Sequence, residues 1–119
     1  MNKSNLNIKN KTPESVVEVK DLKVQFQLKD KVVKAVDGIS FKINKGETIA
    51  IVGESGSGKS VTALSLMRLT DYSGGKIVSG EMKFQSKNNL NLNLTWLDQE
   101  KMRDIRGNDI SMIFQEPMT

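Results

Sequence analysis

Gly53-Glu54-Ser55-Gly56-Ser57-Gly58-Lys59-Ser60 is the stretch on which the reading of this chain turns. It has the form G-x-x-x-x-G-K-[ST], a glycine-rich loop that wraps phosphate. Gly53 and Gly58 allow backbone angles and a close approach that a Cβ would obstruct. Between them, amide N–H groups turned inward form a concave nest for phosphate oxygens. A helix starting at Lys59 points its unpaired N–H groups and the positive end of its dipole at the same anion. Lys59 is expected to reach the β- and γ-phosphates of a purine nucleotide, and the Ser60 hydroxyl to ligate Mg²⁺. The motif thus predicts ATP with Mg²⁺, held by residues 53–60 and, one step into the helix, Val61.

The flanks suit such a loop. Thr48-Ile49-Ala50-Ile51-Val52 is a near-continuous run of mostly β-branched residues, as expected of a strand covered on both faces. After the loop, Val61, Leu64, Leu66, Met67 and Leu69 among small residues predict a helix from Lys59 to about Thr70. Asp71-Tyr72-Ser73-Gly74-Gly75 stops it.

Upstream, residues 22–28 alternate apolar and polar, Lys29-Asp30-Lys31 turns, residues 32–36 return, Asp37-Gly38 punctuates, and residues 39–43 alternate again. Three antiparallel strands with one wet face are expected. Downstream, residues 81–85 read as a strand, an Asn-rich connection follows, and Asp98 is placed to cap a helix over 99–105. Residues 110–114 read as a further strand, which Pro117 cannot continue. Residues 1–15, rich in Asn and Lys, read as a flexible tail. The fold class expected is α/β, with an antiparallel β subdomain beside a phosphate-loop strand-helix unit.

A chain of 119 residues accommodates one small domain, although 37% hydrophobic and 5% aromatic residues are a lean supply for a core. With no cysteine and no histidine, disulfides, thiolate zinc sites and His-based triads are excluded. The first residues lack a signal-like apolar stretch, and no apolar run approaches the roughly 20 residues of a membrane span, so a cytoplasmic location is expected. The net charge of +4 comes from 18 basic and 14 acidic side chains interspersed along the chain. No dense basic cluster with interleaved aromatics marks a nucleic-acid surface.

Together with Val61-Thr62, the closing segment Arg106-Gly107-Asn108-Asp109-Ile110-Ser111-Met112-Ile113-Phe114-Gln115-Glu116-Pro117-Met118-Thr119 and the entry Ala35-Val36-Asp37-Gly38-Ile39-Ser40-Phe41 extend the loop into a wider likeness. Over residues 16–119 the sequence resembles the amino-terminal part of the ATP-binding subunit of an ABC transporter, within the P-loop NTPases, and specifically the oligopeptide/dipeptide importer group. The resemblance implies that Gln115 is the Q-loop glutamine, contacting Mg²⁺ or the attacking water and sensing the membrane subunit. A carboxamide suits both, with an acceptor for metal and a donor for water or phosphate. It also places Phe26 where an aromatic stacks on adenine, although Phe26 is in phase with Leu22, Val24 and Leu28 and is equally explained as core.

The partners implied are transmembrane permease subunits, a second ATP-binding subunit and, indirectly, an extracytoplasmic solute-binding protein, with no nucleic acid. The location implied is peripheral, on the inner face of a bacterial cell membrane. Peptides or similar solutes, nickel among them, would be imported at the expense of ATP hydrolysis. A soluble ABC-type ATPase acting on DNA or ribosomes is the alternative. The Leu-Ser-Gly-Gly-Gln signature, the Walker B carboxylates and the switch histidine of the family find no match in this chain. Ser73-Gly74-Gly75-Lys76 is better read as a helix stop and Leu94-Thr95-Trp96-Leu97-Asp98 as a cap. The expectation is an amino-terminal fragment, truncated before those motifs, that binds nucleotide with negligible turnover.

Overall fold

A computed structural model describes residues 14–115. Residues 1–13 of the expected tail and the segment Glu116-Pro117-Met118-Thr119 lie outside that range, and Ser15 already opens the first strand.

Alternation of apolar and polar residues builds a long hairpin. Strand β1 (Ser15–Gln27) pairs antiparallel with β2 (Val32–Asn44). The turn between them is closed by the Leu28 N–H donating to the Lys31 carbonyl at 2.8 Å. On its other edge β1 pairs with β3 (Gly75–Gln85), and β3 with the short β4 (Asn91–Asn93). The sheet order is β2-β1-β3-β4, antiparallel throughout.

The buried positions of β1 change phase part-way. Val17 and Val19 are buried before Asp21, Leu22 and Val24 after it. A bulge accounts for this: Val19 opposes Phe41 while Leu22 opposes Ile39, so β1 uses three steps where β2 uses two. Asp21 adopts φ 46°, and its N–H donates to the Ser40 hydroxyl at 2.8 Å. The extra residue returns Leu22 to the face that carries Val19, which keeps the apolar set on one side. The break expected at Asp37-Gly38 is likewise a bulge. Gly38 is the additional residue between the Leu22–Ile39 and Lys23–Asp37 pairs, so β2 runs through as one strand where two had been expected.

Helix α1 (Lys59–Leu66) is shorter than the sequence suggested. Arg68 turns left-handed at φ 57°, and a 3₁₀ helix (Leu69–Ser73) follows, ended by Gly74. Helix α2 (Gln99–Ile105) has the expected bounds, and the Asp98 carboxylate accepts from the Lys101 N–H at 2.8 Å as its N-cap. Val17, Val19, Leu22, Val24, Val36, Met82, Phe84, Leu94, Met102 and Ile105 form the core. The Leu94 N–H donates to Met82 O, and the Thr95 hydroxyl accepts from the Met82 N–H, tying the approach to α2 onto β3.

Each large side chain fully buried here contributes roughly 1.5–3 kcal/mol. That stability resides in the sheet and α2, because the buried residues of α1 are Thr62 and Ser65. Both turn their hydroxyls back onto the helix, Thr62 Oγ1 to Gly58 O at 2.8 Å and Ser65 Oγ to Val61 O at 2.7 Å.

The strands expected over 48–52 and 110–114 are not formed within the described residues. Ile110 makes one isolated parallel bridge to Arg106, and residues 48–52 join no ladder. An apolar β-branched run becomes a strand only against a partner backbone, and neither run has one here. Val52 remains 86% and Ile113 97% exposed.

Candidate nucleotide-phosphate site

The loop is shaped by what it packs against. Gly58, the N-cap of α1, sits at φ 93°, ψ 7° with no side-chain cap. A Cβ there would lie 2.6 Å from the carbonyl oxygen of Ala35, so the loop rests directly on the backbone of β2. At Gly53 a Cβ would meet Ser57 Oγ at 2.5 Å. The Ser57 N–H donates to Glu54 O at 3.1 Å and closes the turn between them. With no side chain capping α1, its leading amides are free to meet an anion.

Lys59 folds over this turn. Its ammonium donates to Gly53 O at 2.7 Å and Glu54 O at 2.8 Å, with Ser57 Oγ at 3.5 Å. These bonds place the cation at the loop itself, on a flexible stem that can redirect a donor to phosphate oxygen.

A cleft of about 450 Å³ opens beside the loop, within the size range of small-molecule sites. Ser55, Gly56, Gly58, Lys59, Ser60, Val61 and Gln115 line it, together with Val33, Lys34 and Ala35 of β2. The fold therefore gathers the loop, the first residues of α1 and Gln115 around one space. Its charged lining residues are the cations Lys34 and Lys59. A neighbouring cleft of about 440 Å³ also has Lys59, Ser60 and Gln115 in its wall.

Among the described residues no group of three or more Asp, Glu, His or Cys is placed to hold a metal. Ser60 and Gln115 offer neutral oxygens, which suit Mg²⁺ arriving on phosphates with much of its water retained rather than caged by the protein.

Phe26 stands apart. Its ring packs over Gly75, where a Cβ would come 2.9 Å from Cζ, and it belongs to the partly buried shell around the core. It does not itself line the cleft, although its strand partner Val33 does. Val33, Lys34 and Ala35 were not singled out from sequence. The signal for them was indirect, since a glycine required at position 58 implies a close neighbour without naming it. The two look-alike motifs resolve structurally: Gly74 ends the 3₁₀ helix in a left-handed conformation, and Asp98 caps α2.

The ABC transporter family matches residues 36–119, more than half of the sequence. The chain belongs to this family. Its sheet, phosphate loop and following helix are thus part of an ABC-type P-loop NTPase domain. It is 51% identical over 105 residues to the oligopeptide transport ATP-binding protein AppD of Bacillus subtilis, covering 88% of this chain and 30% of that protein. It is 51% identical over 104 residues to the glutathione import ATP-binding protein GsiA of Pectobacterium atrosepticum, covering 87% of this chain and 17% of that protein. The GsiA protein of Salmonella typhimurium is 49% identical over the same number of residues and share of this chain. The chain spans less than a third of the length of these ABC relatives.

Proposed function

We propose that this chain supplies the phosphate-binding loop for MgATP in an ABC importer of peptides or similar small solutes. The observation that carries the proposal is a cleft lined jointly by the loop, Lys59, Ser60 and Gln115. In it, the amides of residues 55, 56 and 58–60 donate to phosphate oxygens and the Lys59 ammonium offsets their charge, Ser57 closes the turn that shapes the loop, and Val61 forms the wall next to them. Gly53 and Glu54 supply the carbonyls on which Lys59 is braced. Mg²⁺, when bound on the phosphates, spreads their charge; Ser60 offers it a hydroxyl oxygen and Gln115 a carboxamide oxygen or a donor to water.

The solute class rests on likeness to proteins named for oligopeptide and glutathione import. Coupling to ATP hydrolysis, permease subunits as partners and a place at the inner membrane face belong to the same proposal. No helix among the described residues is long and apolar enough to cross a membrane. Affinity capture from membranes of cells expressing the tagged chain tests the partner reading. Enrichment of permease subunits supports it, and recovery of ribosomes or DNA in their place contradicts it.

A further inference from the structure

Arg106 makes contacts that the phosphate site does not use. Its Nε donates to Met67 O at 2.6 Å, and Nη2 reaches Arg68 O and Gln99 Oε1 at 3.3 and 3.4 Å. Nη1 lies 3.4 Å from the Tyr72 hydroxyl, and the guanidinium carbon 5.3 Å from the Tyr72 ring centroid. Met67 is the C-cap of α1 and Arg68 the residue that follows it, so this cation sits at the negative end of the helix whose other end carries Lys59 and Ser60. A surrounding network holds it in place. The Tyr72 hydroxyl donates to Gln99 Oε1 at 2.9 Å, Gln99 Nε2 to Asp71 Oδ2 at 2.7 Å, and Arg68 Nε to the same carboxylate oxygen at 2.8 Å.

Beyond Arg106 the backbone is knotted. The N–H groups of Asn108, Asp109 and Ile110 all donate to Ile105 O, and the Gly107 N–H to Ile110 O at 2.7 Å. After Ile110, Met112, Ile113 and Gln115 share the wall of one cleft with Ser60, Ala63 and Leu66 of α1. The eight residues of α1 span about 12 Å. Five extended residues reach about 17 Å, enough to carry Gln115 from one end of the helix to the other.

We propose that Arg106 is a positioning residue for Gln115: by clamping the start of the 106–115 segment to the C-terminal end of α1, it sets where Gln115 stands relative to Ser60 at the N-terminal end. A guanidinium suits the task, since its fixed fork serves two carbonyls, an amide and an aromatic face, whereas an ammonium offers a point charge. The proposal rests on the reading of Gln115 as a group that acts on Mg²⁺ or its water.

The test is calorimetric titration of ATP into the 119-residue chain, in Mg²⁺ and in EDTA, with Gln115→Ala, Arg106→Ala, Arg106→Lys and the Arg106→Ala/Gln115→Ala pair. Loss of one hydrogen bond to a charged group predicts that Gln115→Ala weakens binding in Mg²⁺ about 10-fold or more, with affinity in EDTA unchanged. Arg106→Ala is expected to reproduce that Mg²⁺-specific loss, the double variant to be no worse than either single one, and Arg106→Lys to be intermediate. Should Arg106→Ala not fold, Arg106→Lys decides: a loss confined to Mg²⁺ supports positioning, and wild-type behaviour contradicts it. If Arg106→Ala weakens ATP equally in Mg²⁺ and EDTA, or leaves both unchanged while Gln115→Ala does not, positioning is refuted and the role of Gln115 stands. If Gln115→Ala changes nothing, its metal role fails and the proposal for Arg106 falls with it.

Discussion

Replacing Gly58 by alanine tests whether the loop must press against β2 to work. Two costs arise. A side chain at φ 93° is held in the left-handed region, at roughly 1–2 kcal/mol. Its Cβ would also stand 2.6 Å from Ala35 O and 3.7 Å from Val36 Cγ2. Ala35 is the unpaired extra residue at a register shift in β2, but its neighbours Lys34 and Val36 pair with Gln25 and Val24 of β1 and hold it from both sides, so the loop is the partner expected to retreat, by several tenths of an ångström. Overpacking of this kind costs about 1–3 kcal/mol. Because the loop escapes by opening the turn that aims its amides at phosphate, much of the sum is expected in binding. A loss of about 2 kcal/mol or more corresponds to at least roughly 25-fold weaker ATP binding.

Gly56→Ala is the control. It shares a positive φ of 84° but has nothing within 4 Å of the added Cβ, so only the conformational cost applies. Calorimetric titration of ATP, with thermal unfolding on the same samples, should show Gly58→Ala clearly weaker than Gly56→Ala. Equal affinities for the two variants, or Gly58→Ala within twofold of wild type, would refute the reasoning.

Ser60→Ala should weaken binding of ATP in Mg²⁺ while leaving affinity in EDTA unchanged, and Mg²⁺ without nucleotide should give no saturable heat, since no protein cage for the ion is built. Phe26→Ala should lower the melting temperature, but the ratio of affinities for ATP and inorganic triphosphate should stay at the wild-type value; a fall in that ratio would restore the adenine contact. Asp98→Ala should cost about 1 kcal/mol of stability in denaturant unfolding through loss of the α2 cap, with no change in ATP affinity.

What the sequence revealed and what it hid follow from the reach of each interaction. The loop at 53–60 was legible because its chemistry is local: glycines, a lysine and a hydroxyl act within one turn of chain. Asp98 and the helix behind it were legible for the same reason, as a cap bonds three residues away. Gly38 was misread as a strand end because a glycine that ends a strand and one that fills a bulge look alike until the neighbouring strand is seen. The change of buried phase from Val19 to Leu22 depends on the bulge at Asp21, which no periodicity reports. Residues 48–52 and 110–114 have the composition of strands, yet a strand is a relation between two backbones, and composition describes one. The cleft wall from Val33 to Ala35 stayed hidden because its contact with Gly58 joins residues more than twenty positions apart.

Lys59 is where the account is most exposed. Its ammonium is braced by Gly53 O and Glu54 O at the lip of the cleft, and its assigned partner is the triphosphate. Equilibrium titration of ATP against the wild-type chain and Lys59→Ala should show binding that weakens about 10- to 100-fold in the variant, the size of a lost charge-assisted hydrogen bond. The same affinity in both proteins would mean that nucleotide does not bind through this loop.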